Sequence, residues 1–184
     1  VVCCGLSTLH LRPGPEDDSL LAAQLFGDGA AAVVVESAAQ PIGTGLRFMR
    51  DASVLAANND DQMTWMAHAD VFRLHLSPLV TRELAQVLPQ IASQLLEVGV
   101  QNESVRWAIH PGGPRILDAA ERALALPTGA LDPSRRELRR AGNRSSPTVL
   151  AITQEHLRES WTGPLALVAF GPGLTADAIM FERS

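Results

Sequence analysis

Apolar residues recur along this chain in three patterns, and each predicts a different element. Short unbroken apolar runs predict buried strands. Val1–Cys4 is one, and Ala30–Glu36 is a second, read from Ala31-Ala32-Val33-Val34-Val35. Gly45–Arg50 and Val105–His110, each interrupted by an arginine, are also predicted as strands. Helical spacing is clearest after Ser77-Pro78, where Leu84, Val87, Leu88, Ile91 and Leu95 fall on one face. Pro89 lies inside that helix and is expected to interrupt and kink it. Further helices are predicted over Ser19–Phe26, over Pro114–Leu124, from Asp132-Pro133 to near Gly142, and from Ser146-Pro147 to about Glu159. Leu165–Phe170 and Thr175–Phe181 flank Gly171-Pro172-Gly173 and predict a hairpin.

Polar stretches complete the outline. Pro13–Asp18 predicts a loop, and Gly27-Asp28-Gly29 a turn. Asp51–Asp61 predicts an irregular segment with Asn58-Asn59-Asp60-Asp61 at its tip. Strands and helices alternate without internal repeat or linker, which indicates an α/β class and a single domain over residues 1–184. The opening Val1-Val2-Cys3-Cys4 looks like a strand already under way, so the chain is expected to be the later part of a longer protein.

Composition narrows the function. Apolar residues make up 46% of the 184 positions, enough for a sizeable core. A net charge of −5 argues against a nucleic-acid platform, which needs a basic face. All 15 basic residues are arginine, a bias better ascribed to a GC-rich genome than to phosphate binding. The two cysteines are adjacent, so no disulfide framework is possible; both are expected to be buried structural thiols in a reducing cytosol. No apolar run is long enough to span a membrane, and no signal peptide is recognisable.

Candidate chemistry gathers in three loops. Trp107-Ala108-Ile109 runs into His110 and then Pro111-Gly112-Gly113-Pro114, so His110 is presented at a strand end beside a helix N-terminus. A lone histidine there is ordinarily structural, but flanking glycines let backbone approach a ligand. A neutral imidazole can then donate to a developing oxyanion. Asn143, in Gly142-Asn143-Arg144-Ser145-Ser146-Pro147, is either a turn or cap residue or a second donor to the same oxyanion. Phe170-Gly171-Pro172-Gly173 is a turn whose functional use spacing alone does not reveal. His10, His68, His75 and His156 show no metal-ligand spacing.

Together these motifs resemble the type III polyketide synthases, the chalcone and stilbene synthase family. The resemblance rests on Leu25-Phe26-Gly27-Asp28-Gly29-Ala30, Ile109-His110-Pro111-Gly112-Gly113-Pro114, Gly142-Asn143-Arg144-Ser145-Ser146 and Phe170-Gly171-Pro172-Gly173-Leu174, in the order of that family's C-terminal half. It implies the C-terminal half of a thiolase-like fold, with helices packed on a mixed sheet of the five-stranded type. It implies a Cys-His-Asn triad in which His110 and Asn143 are present and the cysteine lies upstream of Val1; Cys3 and Cys4 match a later strand. Phe26 and Phe72 match gatekeepers, and Ser7, His10, Met63 and Ser145 match cavity positions. Phe170, Gly171, Pro172 and Gly173 match the loop shaping the cyclisation chamber, and Gly112, Gly113, Pro114 and Arg115 the CoA tunnel.

The implied activity is decarboxylative Claisen condensation of malonyl-CoA onto an acyl-CoA starter, with cyclisation to a pyrone, resorcinol or phloroglucinol. CoA thioesters are substrates; no further cofactor or metal is implied. A cytoplasmic homodimer with no nucleic-acid or membrane partner is expected. The chain departs from the family's usual pattern at Gly5 (acidic), Arg144 (apolar) and Ala169 (glycine in plant enzymes), and Ser7–Leu11 and Ser146-Pro147 suggest a bacterial member. Two other readings remain: a non-catalytic remnant that dimerises or scaffolds, and a ketosynthase of fatty-acid elongation.

Overall fold

A computed structural model describes residues 1–10, 17–37, 45–56, 62–67, 69, 72–97 and 99–183. Residues 13–16 of the expected loop Pro13–Asp18 and the polar tip at 58–61 lie outside the described residues, as does His68, while Asp17 and Asp18 open a helix. Among the described residues there are eight strands: β1 Val2–Leu6, β2 Asp28–Ala32, β3 Leu46–Leu55, β4 Met63–Ala67, β5 Phe72–Leu76, β6 Arg106–Ile109, β7 Gly163–Gly171 and β8 Thr175–Arg183. The α-helices are α1 Asp17–Leu25, α2 Val80–Leu95, α3 Pro114–Ala123, α4 Asp132–Ala141 and α5 Pro147–Arg158.

The main sheet has the order β3-β8-β7-β6. It is mixed, because β6 runs parallel to β7 while β3, β8 and β7 alternate. It holds four described strands rather than the expected five, because β1 and β2 pair only with each other. Helices α2 and α3 cover one face. Leu84, Leu88, Ile91 and Leu117 meet Trp107, Ile109, Ala166, Val168, Ala176 and Ala178 in the main core. On the other face α5 brings Ile152 against Ala108, Leu165 and Leu167. Both faces of β6 and β7 are therefore buried, which explains their continuous apolar runs.

β3 is longer than the sequence suggested. Asp51, Ser53 and Leu55 are exposed, while Ala52 and Val54 are buried against α2. The segment is a half-buried strand, and its polar alternate residues masked the period of two. Ser53 Oγ donates to Asp177 Oδ1 on β8 at 2.6 Å. The hairpin β4–β5 carried no clear apolar period and was not anticipated. Helix α2 runs without interruption through Pro89. Pro89 and Ala85 are both exposed, so the carbonyl that loses its amide partner can be satisfied by water.

β1 is not a buried strand in this chain. Only one face of the β1–β2 ladder meets α5, so Cys3 and Gly5 are half-buried while Val2, Cys4 and Leu6 are exposed. The thiols of Cys3 and Cys4 are unpaired and neither is buried, contrary to the expectation of buried structural cysteines. Val34 and Val35 lie beyond the end of β2 and are 83% and 77% exposed.

Candidate functional site

The C-terminal ends of β6 and β7 open onto a cavity of about 300 Å³. Parallel pairing brings these ends level. The His110 N–H donates to Val168 O at 2.8 Å, extending the ladder one residue past β6 and setting His110 at its edge. The chain then turns through Gly112 into α3, with Pro114 in the first turn where no amide is needed. Gly112 lines the cavity, and a Cβ there would meet only Ile116 at 3.4 Å. The His110 side chain makes no hydrogen bond to the described residues. Burial pushes its pKa down from 6.5 to about 4, so the ring is neutral at physiological pH.

Asn143 reaches the same cavity from α4. The helix ends at Ala141, and Gly142 turns the chain with φ of 69° and ψ of −173°. The Asn143 N–H donates to Leu25 O at 2.8 Å, and its carbonyl accepts from Gly27 N–H at 2.9 Å. Its side-chain Oδ1 accepts from the Ser145 N–H at 2.8 Å, with Ser145 held at a φ of 59°. Asn143 is 5% exposed. The amide oxygen is thus spent on the turn, while the amide nitrogen donates to none of the described residues. Asn143 is both a turn residue and a candidate donor.

The remaining walls are mostly apolar. Leu25 and Phe26 come from the end of α1, Ala169, Phe170, Gly171 and Pro172 from the end of β7. Met63 and Leu76 lie on the β4–β5 hairpin, and Val80 and Leu84 on the first turns of α2. Ile116, Val149, Ser145 and Ser146 complete the lining. The cavity therefore unites His110, Asn143, Phe26, Met63, Ser145, Gly112, Phe170, Gly171 and Pro172 from the residues singled out in sequence. Its described lining does not include Ser7, His10, Gly113, Pro114, Arg115 or Gly173. Ser7 and His10 lie in a short 3-10 turn after β1. Phe72 opens β5 opposite Ala67, and its side chain lies outside the described set.

Leu76, Val80, Leu84 and Val149 were not anticipated as lining. Their spacing marks them as apolar helix and strand residues, and nothing local separates a core face from a cavity wall. Ala169 was visible only as a departure from the family pattern. Among the described residues no cluster of three His, Cys, Asp or Glu could hold a metal ion. No described helix is long and apolar enough to cross a membrane.

The sequence model for chalcone and stilbene synthases, C-terminal domain, matches residues 49–183, well over half of the chain. The chain belongs to the chalcone and stilbene synthase family. Its fold is that of solved type III polyketide synthases. The C-terminal type III polyketide synthase domain of Steely1, a type I/III hybrid from Dictyostelium, superposes with a TM-score of 0.91 at 21% identity, covering 99% of this chain and 53% of that one. A type III pentaketide synthase from Neurospora crassa gives a TM-score of 0.75 at 23% identity, covering 87% of this chain and 48% of that one. The chain thus spans about half the length of these synthases. In this chain the four sequence motifs first noted here as a resemblance fall at the ends of α1, β6, α4 and β7, the last three within the residues that the family model matches.

Proposed function

We propose that this chain supplies the oxyanion site and much of the reaction cavity of a type III polyketide synthase. The observation that carries the reading is that a neutral imidazole and a turn-anchored amide share one largely apolar cavity, with the imidazole and the amide Nδ2 making no hydrogen bond to the described residues. Malonyl-CoA would lose carbon dioxide, and the electron pair of the broken C–C bond would become a thioester enolate. His110 and Asn143 Nδ2 would donate to the enolate oxygen. The enolate carbon would attack the carbonyl of an enzyme-bound thioester, forming a C–C bond and expelling the thiolate. The nucleophilic thiolate is the one that the family resemblance implies outside these residues, and neither Cys3 nor Cys4 lines the cavity. The apolar walls suit an acyl chain and shield the acyl-enzyme from hydrolysis.

The test is malonyl-CoA decarboxylation by the full-length enzyme carrying His110→Ala or Asn143→Ala. Loss of one oxyanion donor is expected to lower the rate by about 10²–10³. A folded Asn143→Ala variant with wild-type decarboxylation would show that Asn143 serves the turn alone. The 184-residue chain by itself is expected to form no condensation product. Product from that chain alone would overturn the assignment of the thiolate elsewhere.

A further inference from the structure

Two departures from the family pattern noted in the sequence, Gly5 and Arg144, touch each other in the fold. A Cβ at Gly5 would lie 2.3 Å from the Arg144 carbonyl oxygen. Gly5 is the direct cross-strand partner of Gly29. A Cβ at Gly29 would lie 2.5 Å from Arg144 Cδ and 3.1 Å from its Nη1. Arg144 therefore packs on two paired glycines, its carbonyl over Gly5 and its side chain over Gly29, and a Cβ at either would crowd it. Its guanidinium ends in an ion pair with Glu137 on α4. Glu137 is 2% exposed and also takes Arg140 Nη2 at 2.7 Å. The Arg144 side chain is itself only 13% exposed.

This assembly is bonded to the Asn143 turn through the backbone. Arg144 directly follows Asn143, and its N–H donates to Thr148 Oγ1 at 2.9 Å. Thr148 is fully buried in the first turn of α5. Arg144 is thus held at its amide, at its carbonyl face and at its guanidinium. The side-chain amide of Asn143, the preceding residue, has among the described residues only the Ser145 N–H to orient it. Glu137 keeps Arg140 as a second partner, so the charge left buried and unpaired by breaking the contact would be the Arg144 guanidinium, which is strongly unfavourable.

We propose that the Glu137–Arg144 pair, with the Arg144 carbonyl against Gly5 and its side chain on Gly29, is a positioning device that aims the Asn143 amide at the reacting oxygen. The proposal rests on the oxyanion role assigned to Asn143. Its task is orientation, so it acts on the transition state and not on malonyl-CoA affinity.

The experiment compares full-length Arg144→Met, Glu137→Gln, Arg144→Lys and Asn143→Ala in malonyl-CoA decarboxylation, with thermal melting on each. Arg144→Met and Glu137→Gln are expected to lower kcat about tenfold with KM within about twofold. Arg144→Lys keeps the charge and loses the planar fork, so it is expected to fall between, at about threefold. The Glu137→Gln/Arg144→Met double variant is expected to be no slower than the worse single, as for two parts of one unit. Folded Arg144→Met and Glu137→Gln enzymes with wild-type kcat, beside an inactive Asn143→Ala, overturn the positioning role and leave the oxyanion reading intact. Wild-type decarboxylation by Asn143→Ala overturns the oxyanion reading and the positioning role with it. Where Arg144→Met does not fold, Arg144→Lys decides: a wild-type kcat overturns the proposal.

Discussion

Phe26 and Asn143 are joined by a parallel backbone bridge. Asn143 N–H donates to Leu25 O and Gly27 N–H donates to Asn143 O, so the end of α1 and the turn after α4 are locked at one register. The residue matching a gatekeeper and the candidate oxyanion donor therefore cannot shift independently. Two loops far apart in sequence act as one rigid edge of the cavity.

That edge depends on Gly142. Its φ and ψ lie in a region essentially reserved for glycine, and a Cβ there would sit 2.9 Å from Leu25 O. Gly142→Ala is expected to cost about 1–3 kcal/mol in strain. Because the crowded atom belongs to the bridge itself, catalysis should suffer more than stability. Chemical denaturation and malonyl-CoA decarboxylation on the same full-length variant check both. A stable variant with wild-type decarboxylation would show that the bridge is not needed.

His110 makes stability depend on pH. The unfolded imidazole binds its proton near 6.5, the folded one near 4. Between these values the unfolded chain holds more protons, so stability is full above about pH 6.5 and falls as pH drops toward 4. The slope from one such group reaches about 1.4 kcal/mol per pH unit. His156, 3% exposed on α5, is also pushed below the usual histidine range by burial and adds with the same sign. In urea melts from pH 7.5 to 4 the wild type is expected to lose more stability on acidification than His110→Gln, because only the wild type loses the His110 contribution. Parallel curves would show that His110 titrates normally in the fold.

Phe26 and Leu84 both line the cavity but differ in burial. Leu84 is fully buried within the main core, whereas Phe26 is half-buried. Leu84→Ala is expected to cost about 2–5 kcal/mol and to enlarge the cavity. Phe26→Ala is expected to cost clearly less than the ~3–5 kcal/mol of a core phenylalanine while shifting the starter profile or raising acyl-enzyme hydrolysis. Melting curves and product analysis by mass spectrometry, with a panel of acyl-CoA starters, separate the two. A large stability loss in Phe26→Ala with unchanged products would reduce Phe26 to a core residue.

Much of the scaffold was legible before any coordinates. Helices α2, α3, α4 and α5 begin within two residues of a proline and lie close to the expected spans, because proline at a helix start and apolar periodicity are local properties. His110, Asn143 and the Gly-Pro-Gly turn were also local, since glycine and proline mark the chain reversals that present them. The β4–β5 hairpin and the length of β3 were not legible. Their residues alternate weakly, and what makes them strands is a partner far away in sequence.

The sequence by itself determined the α/β class, the helices with a strong apolar face and the family likeness, and it marked His110 and Asn143 as candidates. Those depend on residue type and spacing within a few turns of chain. Only the tertiary structure decided that Leu76, Val80 and Leu84 wall a cavity, that Cys3 and Cys4 stand at a half-open ladder, and that Gly5 lies under Arg144. Burial and close approach are properties of two segments at once, and no single stretch of sequence carries them.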